Sequence, residues 1–334
     1  MPLPKITVIT PSFNQAIYLE ATLASVLDQQ YPHLEYLVAD GGSTDGSVDI
    51  IRRHQSSLAW WVSEPDGGQS EAINKGLARA SGQVVTWLNS DDLLAPGALH
   101  TVGELFATHP HAGLVHGQTT IFWEKSGQIA KEITKGASGP DVPVQALGGM
   151  PFAQPSVFFG RGAIEKYGLL DRGLHYAMDY HLFAQIALDS ELVATPAVLS
   201  RYRMHATSKS TLHNAKFAQE YAVVLGRLLR AFPQAAPLVA TLRQHGLYAD
   251  GPETFSPSRD WSLTDLRQAV AHNLRAQLTF YYEALAWPEV RRVAAALHEL
   301  APTFYRQWPD LKKARQRATY LPAPIVGWLR KMVR

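Results

Sequence analysis

The first 125 residues alternate between two hydrophobic periods, and no other feature narrows the possible folds so far. Short runs rich in β-branched or aromatic residues, Ile6 to Thr10, Leu34 to Ala39, Ala59 to Val62, Val84 to Leu88 and Gly113 to His116, have the length and composition of buried strands. Between them, Leu19, Leu23 and Val26, and then Ile73, Leu77 and Ala80, recur with the spacing of a helix face. Pro96 stands where a first helical turn accepts proline, ahead of Leu99, Val102 and Phe106. Strand, helix, strand at this spacing predicts βαβ units and a mainly parallel sheet. In such an α/β fold, ligands bind outside the carboxyl ends of the strands.

At 334 residues the chain is longer than one core usually serves, which implies two lobes or a core with an extension. Apolar residues make up 46% and charged residues 18%, which excludes global disorder. Cysteine is absent, so disulfides, thiolate nucleophiles and Cys-based metal sites are excluded. A reducing compartment is compatible. The N-terminal MPLPKITVIT lacks a secretory h-region, and no uncharged apolar run is long enough for a spanning helix. The expected location is cytoplasmic. The formal charge of +2 conceals an asymmetry: residues 1–214 carry 14 Lys+Arg against 20 Asp+Glu, and residues 215–334 carry 17 against 9. An acidic front half excludes a nucleic-acid groove there, because such binding neutralises phosphates with Lys and Arg.

Unusual residues collect at the strand ends. The first strand runs into Pro11-Ser12-Phe13-Asn14, the second into Asp40-Gly41-Gly42-Ser43-Thr44-Asp45-Gly46, the third into Glu64-Pro65-Asp66-Gly67-Gly68, and the fourth into Asn89-Ser90-Asp91-Asp92. Singly, each reads as turn and capping chemistry. Together they put carboxylates and glycines on one rim. Adjacent Asp91 and Asp92 repel by about 4 kcal/mol at 4 Å and an effective dielectric near 20, so a divalent cation would favour the pair. Mg²⁺ or Mn²⁺ held by one or two carboxylates completes its shell with water and substrate phosphates. The Asp66-Gly67-Gly68 loop opens a helix whose free N–H groups favour an anion. Neither Gly-x-Gly-x-x-Gly nor the P-loop signature occurs, which disfavours a dinucleotide oxidoreductase and an ATPase.

These motifs, with Val8-Ile9-Thr10, Gln69, Asn74-Lys75-Gly76 and Trp87-Leu88, occur in an order that resembles the family 2 glycosyltransferases of GT-A fold over about the first 210 residues. The resemblance implies a transferase that uses a nucleotide-diphosphate sugar and a divalent cation. It implies that the first loops hold the nucleotide, with Asp40 touching the base, Pro11 and Ser12 lining its pocket, and Asn14, Gly41, Asp66, Gly67, Lys75, Asp91 and Arg203 contributing to the donor site. Asn89 departs from the Asp-x-Asp metal motif, which leaves Asp91 and Asp92 as its carboxylates. The likeness continues through Gln154-Pro155-Ser156 and His175-Tyr176-Ala177-Met178-Asp179-Tyr180, where it implies Asp179 as the catalytic base of inverting transfer. A second reading makes Asp179 the cap of a helix from Tyr180 to Leu188. The closing segment Arg201-Tyr202-Arg203-Met204-His205, with Ser208, Lys209 and Ser210, places His205 toward the metal.

The expected segments are 1–125, the nucleotide-sugar half; 126–214, the acceptor and base half; and 215–334, a basic helical module. Gly136 to Gly162, rich in Gly and Pro, reads as loops over the sheet edge, and Val193 to Arg203 as extended chain. Helical spacing returns in Tyr221 to Phe232, Leu263 to Trp287 and Pro288 to Leu300. From Tyr305 to Arg334 there are eight Lys/Arg and one Asp, interleaved with Trp308, Leu321, Ile325, Val326, Trp328, Leu329 and Val333. Such a segment suits an anionic leaflet and a glycan or lipid-linked acceptor at the inner face of the cytoplasmic membrane. The competing reading is a solvated helical cap, since Pro322 and Pro324 interrupt a long helix. Three other functions stay open: a sugar nucleotidyltransferase, a glycoside hydrolase with paired carboxylates, and a non-catalytic sugar-nucleotide or glycan-binding protein.

Overall fold

The computed structural model describes residues 2–125, 128–252 and 255–320. In chain order the elements are β1 (Ile6–Ser12), α1 (Ala16–Leu27), β2 (Leu34–Asp40), α2 (Ser47–His54), β3 (Trp60–Ser63), α3 (Gln69–Leu77), β4 (Val84–Trp87), β5 (Leu93–Leu94), α4 (Ala98–Thr108), β6 (Ala112–Lys125) and β7 (Gln128–Lys135). There follow α5 (Val142–Gly148), β8 (Val157–Gly160), α6 (Gly162–Tyr167), α7 (Met178–Asp189), β9 (Glu191–Met204), α8 (Lys209–Leu212), α9 (Asn214–Arg230), α10 (Ala236–Gln244), α11 (Leu263–Glu283), α12 (Trp287–Leu300), α13 (Pro302–Gln307) and α14 (Pro309–Tyr320). The chain forms two compact units. One is Met1–Val142, Met150–Leu182 and Ser190–His205; the other is Pro143–Gly149, Phe183–Asp189 and Ala206–Arg334.

The first unit is built on one sheet of order β3-β2-β1-β4-β8-β6-β9-β5, with β7 paired to β6. Strands β3, β2, β1 and β4 are parallel, as the βαβ pattern requires. Beyond β4 the sheet is mixed: β8 is antiparallel to β4 and β6, β9 is parallel to β6, and β5 is antiparallel to β9. The chain steps from β1 to β2 to β3 and returns to the other side of β1 as β4. That reversal opens a crevice at the carboxyl ends of β1 and β4. Ile6, Val8, Val38, Val84, Leu19, Leu23 and Val26 form the core beneath it, fully buried. At the opposite end of these strands, Glu35 accepts hydrogen bonds from Lys5, Thr7 and Ser81. Burial alone would raise its pKa, but these bonds outweigh that and hold it at about 2.

Two expectations change. Gly136 to Gly162 is not a run of edge loops: it holds α5 and β8, and β8 lies between β4 and β6 with Val157, Phe158 and Phe159 buried. Pro96 precedes α4 rather than entering its first turn, and Gly97 caps the helix at φ 77°.

In the second unit α11 packs on α9 and α12, and α12 on α14. A Cβ at Gly148 would lie 2.2 Å from the Ala269 carbonyl oxygen, so only glycine lets the end of α5 rest on α11. Ser262 and Asp265 close a capping box at the start of α11. On α14, Leu311, Ala314 and Ala318 are buried while Lys312, Lys313, Arg315 and Arg317 face solvent. Trp308, expected on a membrane-facing segment, stacks under Arg275 and against Phe304. Leu321, Ile325, Val326, Trp328, Leu329 and Val333, like Pro322 and Pro324, lie outside the described residues. No helix among the described residues is long and apolar enough to cross a membrane.

Candidate functional site

The β1 and β2 ends form a self-supporting platform. Asp40, the last residue of β2, is buried, and its Oδ2 accepts from Gly42 N–H (3.1 Å), Ser43 N–H (2.8 Å) and Ser63 Oγ (2.7 Å), while Oδ1 accepts from Ser43 Oγ (2.6 Å). All of these bonds are internal. The carboxylate expected to touch a base instead folds the loop. Asn14, at φ 51°, donates its backbone N–H to Ser43 Oγ (2.8 Å) and accepts the Thr44 N–H at Oδ1 (2.9 Å), so it too locks the loops together. Pro11 and Ser12 lie in the β1–β2 register opposite Ala39 and Asp40. Ser12 Oγ is buried and finds no hydrogen-bond partner among the described residues. Phe13 beside it is 61% exposed, an aromatic face to which the sequence alone assigned no role.

The third loop crosses this platform. A Cβ on Gly41 would sit 3.1 Å from Asp66 Oδ2, so the missing side chain at 41 is what admits the Asp66 carboxylate over the end of β2. Two amides of this loop are engaged within it and the first turn of α3. Gly67 N–H donates to Glu71 Oε2 (3.1 Å) and Gly68 N–H to Asp66 Oδ1 (2.8 Å). Arg172, which the sequence reading missed, ion-pairs with Glu71 and brings a mostly exposed guanidinium over Gly67. Lys75 is paired with Glu64 Oε1 at 2.9 Å.

At the β4 end, the loop 89–92 is held from both sides. Thr22 of α1 donates to the carbonyls of Ser90 and Asp92, and Arg203 of β9 donates Nε to the Asp91 carbonyl (2.9 Å). Consecutive side chains in this turn differ in burial. Asp91 remains partly open, 22% exposed, and its Oδ2 lies 3.0 Å from His205 Nε2. Asp92 is fully buried; its Oδ1 accepts the Arg203 N–H (3.0 Å) and its Oδ2 has no hydrogen-bond partner among the described residues. Burial and the adjacent Asp91 charge push its carboxyl well above the usual range, opposed by hydrogen bonds from the Arg203 N–H and the Asn89 side chain. Asp92 thus holds the loop against β9 through Arg203, and Asp91 is the more open of the two carboxylates.

Arg203 is likewise buried. Its guanidinium is sandwiched between the Tyr18 ring (4.7 Å) and the Phe122 ring (4.8 Å), and burial lowers its pKa. It lies under Asp91 as a support rather than opening into the crevice as a donor contact. Tyr18 also touches His205, ring centroids 4.7 Å apart. Asn89, where an aspartate was anticipated, accepts from Gln69 Nε2 (2.7 Å) and donates to Gln154 Oε1 (3.3 Å), while Gln154 Nε2 is fixed on the Trp87 carbonyl (2.7 Å). An aspartate could not donate to Gln154, so the amide follows from its neighbour.

Asp179 lies in the first turn of α7, partly buried, with its Oδ1 accepting its neighbour Tyr180's N–H (2.8 Å). The local bond fits a role at the helix terminus.

Among the described residues no cluster of three or more His, Asp or Glu side chains is gathered for a metal. The Asp91–His205 pair supplies one oxygen and one nitrogen donor, a set that suits Mn²⁺ or Mg²⁺ if phosphates and water fill the other positions.

Comparison with known proteins gives the family. Residues 7–161 match the family described as Glycosyl transferase family 2. The chain is 31% identical over 212 residues to an uncharacterized glycosyltransferase of Mycobacterium tuberculosis, covering 60% of this chain and 75% of the relative. It is 31% identical over 140 residues to the GalNAc(5)-diNAcBac-PP-undecaprenol beta-1,3-glucosyltransferase of Campylobacter jejuni, covering 40% of this chain and 43% of that protein. Among solved structures, a mannosyltransferase from Pyrobaculum calidifontis in complex with GDP-Man and Mn²⁺ aligns over 96% of this chain and 87% of its own, with a TM-score of 0.57 and 21% identity. The last likeness bears on fold alone. From its strand-end motifs, its sheet and these relatives, the chain belongs to the family 2 glycosyltransferases, enzymes of GT-A fold.

Proposed function

We propose that the protein transfers one sugar from a nucleotide-diphosphate donor to an acceptor hydroxyl with inversion at the anomeric carbon. The observation that carries this reading is the pairing of Asp91 with His205 at the carboxyl-end crevice, above loops that are already folded by their own side chains. Ser12, Phe13 and the Asp66 loop would receive the nucleotide. A divalent ion held by Asp91 and His205 would supply Lewis-acid neutralisation of the leaving diphosphate, worth several kcal/mol in such reactions. Asp179 accepts the acceptor's proton as its oxygen bonds to the anomeric carbon. The glycosidic electron pair leaves with the diphosphate.

The acceptor in this reading is a lipid-linked glycan, as the undecaprenol in the name of the Campylobacter relative suggests. The exposed Lys312, Lys313, Arg315 and Arg317 on α14 support it, since basic residues contribute about 1 kcal/mol each near an anionic leaflet. Sedimentation with anionic vesicles at low salt is expected to retain the protein, and no retention would remove the membrane component.

The central test is a screen of UDP-, GDP- and dTDP-sugars for thermal shifts that require Mn²⁺ or Mg²⁺, followed by nucleotide release from the donor that binds. Asp179→Asn is expected to lower turnover by about 10² to 10⁴ while donor binding is kept. Near-normal turnover would defeat the assignment of the base.

A further inference from the structure

Helix α3 carries two buried polar side chains on one face, Ser70 and Asn74, one helical turn apart. A buried face of this kind ordinarily carries apolar residues, as Ile73 and Leu77 do on the same helix. Both polar residues bond to the irregular segment that leads into α7. Asn74 Nδ2 donates to the Leu170 carbonyl (2.9 Å), and Asn74 Oδ1 accepts the Leu170 N–H (2.9 Å). Ser70 Oγ donates to the Leu174 carbonyl (3.1 Å). The side-chain amide thus replaces a neighbouring strand for Leu170, satisfying both its backbone groups where water does not reach. Between these anchors the segment turns on itself: Gly173 N–H donates to Asp171 Oδ1 (2.7 Å) and Leu174 N–H to the Asp171 carbonyl (3.1 Å). Leu170, Leu174, Ala177 and Met178 are all buried, so little slack remains before Asp179.

The other end of α3 begins at the Asp66-Gly67-Gly68 loop, and Gln69 in its first turn bonds Asn89, two residues before Asp91. One short helix therefore touches the donor-side loops with its first turn and the base-bearing segment with its buried face.

We propose that Asn74, with Ser70 assisting, is a positioning residue that fixes the Asp179 carboxylate relative to the donor loops. This rests on the reading of Asp179 as the base. Asn74 touches no reacting atom in this scheme and acts only through the backbone of Leu170.

The test uses the full chain and the variants N74A, N74D, S70A, D179N and N74A/D179N. Hydrogen exchange followed by mass spectrometry is expected to speed at least tenfold across residues 170–180 in N74A, with α1 and α4 unchanged. N74D keeps the acceptor for the Leu170 N–H but sets a carboxylate oxygen against the Leu170 carbonyl and speeds exchange at least as much; S70A, which removes only the bond to Leu174, falls between wild type and N74A and guards against a folding defect. Unchanged exchange over 175–180 overturns the proposal. Nucleotide release from a panel of UDP-, GDP- and dTDP-sugars gives the second readout: N74A lowers kcat 10- to 100-fold with the donor KM nearly constant, and adds nothing in the D179N background. Losses that multiply in the double variant, or a KM change as large as the kcat change, also overturn it. If D179N alone turns over normally, or the wild type releases nucleotide from no donor, the reading of the base or of the reaction has failed instead.

Discussion

The rim contains two regions with similar composition and opposite physical character. At the β1 and β2 ends, Asp40 accepts four hydrogen bonds, Asp45 accepts the Ala16 and Ser47 N–H groups, and Asn14 is bound to Ser43 and Thr44. At the β4 and β9 ends, the equivalent inward work is done by Asp92, Thr22 and Arg203, and Asp91 with His205 is left nearer the surface. Both regions are rich in Asp, Asn and Ser. The first uses its polar side chains to make a rigid floor; the second hides one carboxylate so that another is held in place. An acidic residue in a strand-end loop thus has two fates, and burial separates them: Asp40 and Asp92 are buried, while Asp91 stays partly open.

The largest effect expected from this contrast is on rate. Asp91→Asn should lower nucleotide release by about 10³-fold, equivalent to about 4 kcal/mol, with little change in melting temperature. Asp40→Ala should show the reverse order of consequences. It leaves several donors without their acceptor and should cost on the order of 3 kcal/mol in urea unfolding, with donor affinity falling as the loop loosens. If Asp91→Asn destabilises as much as Asp40→Ala, the contrast between the two regions is lost.

A third effect of about the same size concerns pH. His116 on β6 is buried against Phe152, neither ring nitrogen has a hydrogen-bond partner among the described residues, and burial pushes its pKa down to about 4. The unfolded chain takes up that proton near pH 6.5 and the folded chain does not. The contribution is fully present above pH 6.5 and is lost as pH falls toward 4, about 3 kcal/mol in all. His116→Phe should flatten this part of the stability profile, measured by chemical denaturation between pH 7 and 4. An unchanged slope would show that the acid sensitivity arises among the loop carboxylates instead.

The smallest effect tests the amide at the head of the β4 loop. Asn89→Asp places a carboxylate against Gln154 Oε1, which cannot turn away without leaving the Trp87 carbonyl without its donor. The expected loss is about 1 to 2 kcal/mol of stability. A gain in Mn²⁺ affinity without that loss would mean that position 89 faces the cation after all.

The parallel half of the sheet was legible because each strand is a short apolar run followed by turn residues, and the periods of α1 and α3 are clean. The mixed half was not. Strand β8 is four residues long and follows Pro155 in a Gly- and Pro-rich stretch, where local composition argues for a loop and only its neighbours β4 and β6 make it a strand. The same limit applied at the site. The motifs lie at the ends of β1 to β4, but sequence adjacency cannot tell which of Asp91 and Asp92 turns inward, because that is decided by Arg203 more than a hundred residues later. Arg172 and Tyr18 carry no local signal, since their importance comes from what lies beside them in space.

The empty space at Gly41 has an evolutionary corollary. Because the Asp66 carboxylate lies 3.1 Å from where a methyl group at position 41 would sit, a side chain there displaces it by a few tenths of an ångström, and the two positions are coupled. Relatives in which 41 has gained a side chain should carry a turned carboxylate or a different residue at 66, and the acidic group over the end of β2 would then be borne elsewhere. A lineage could in this way move its negative charge from one loop to the next while keeping the shape of the floor.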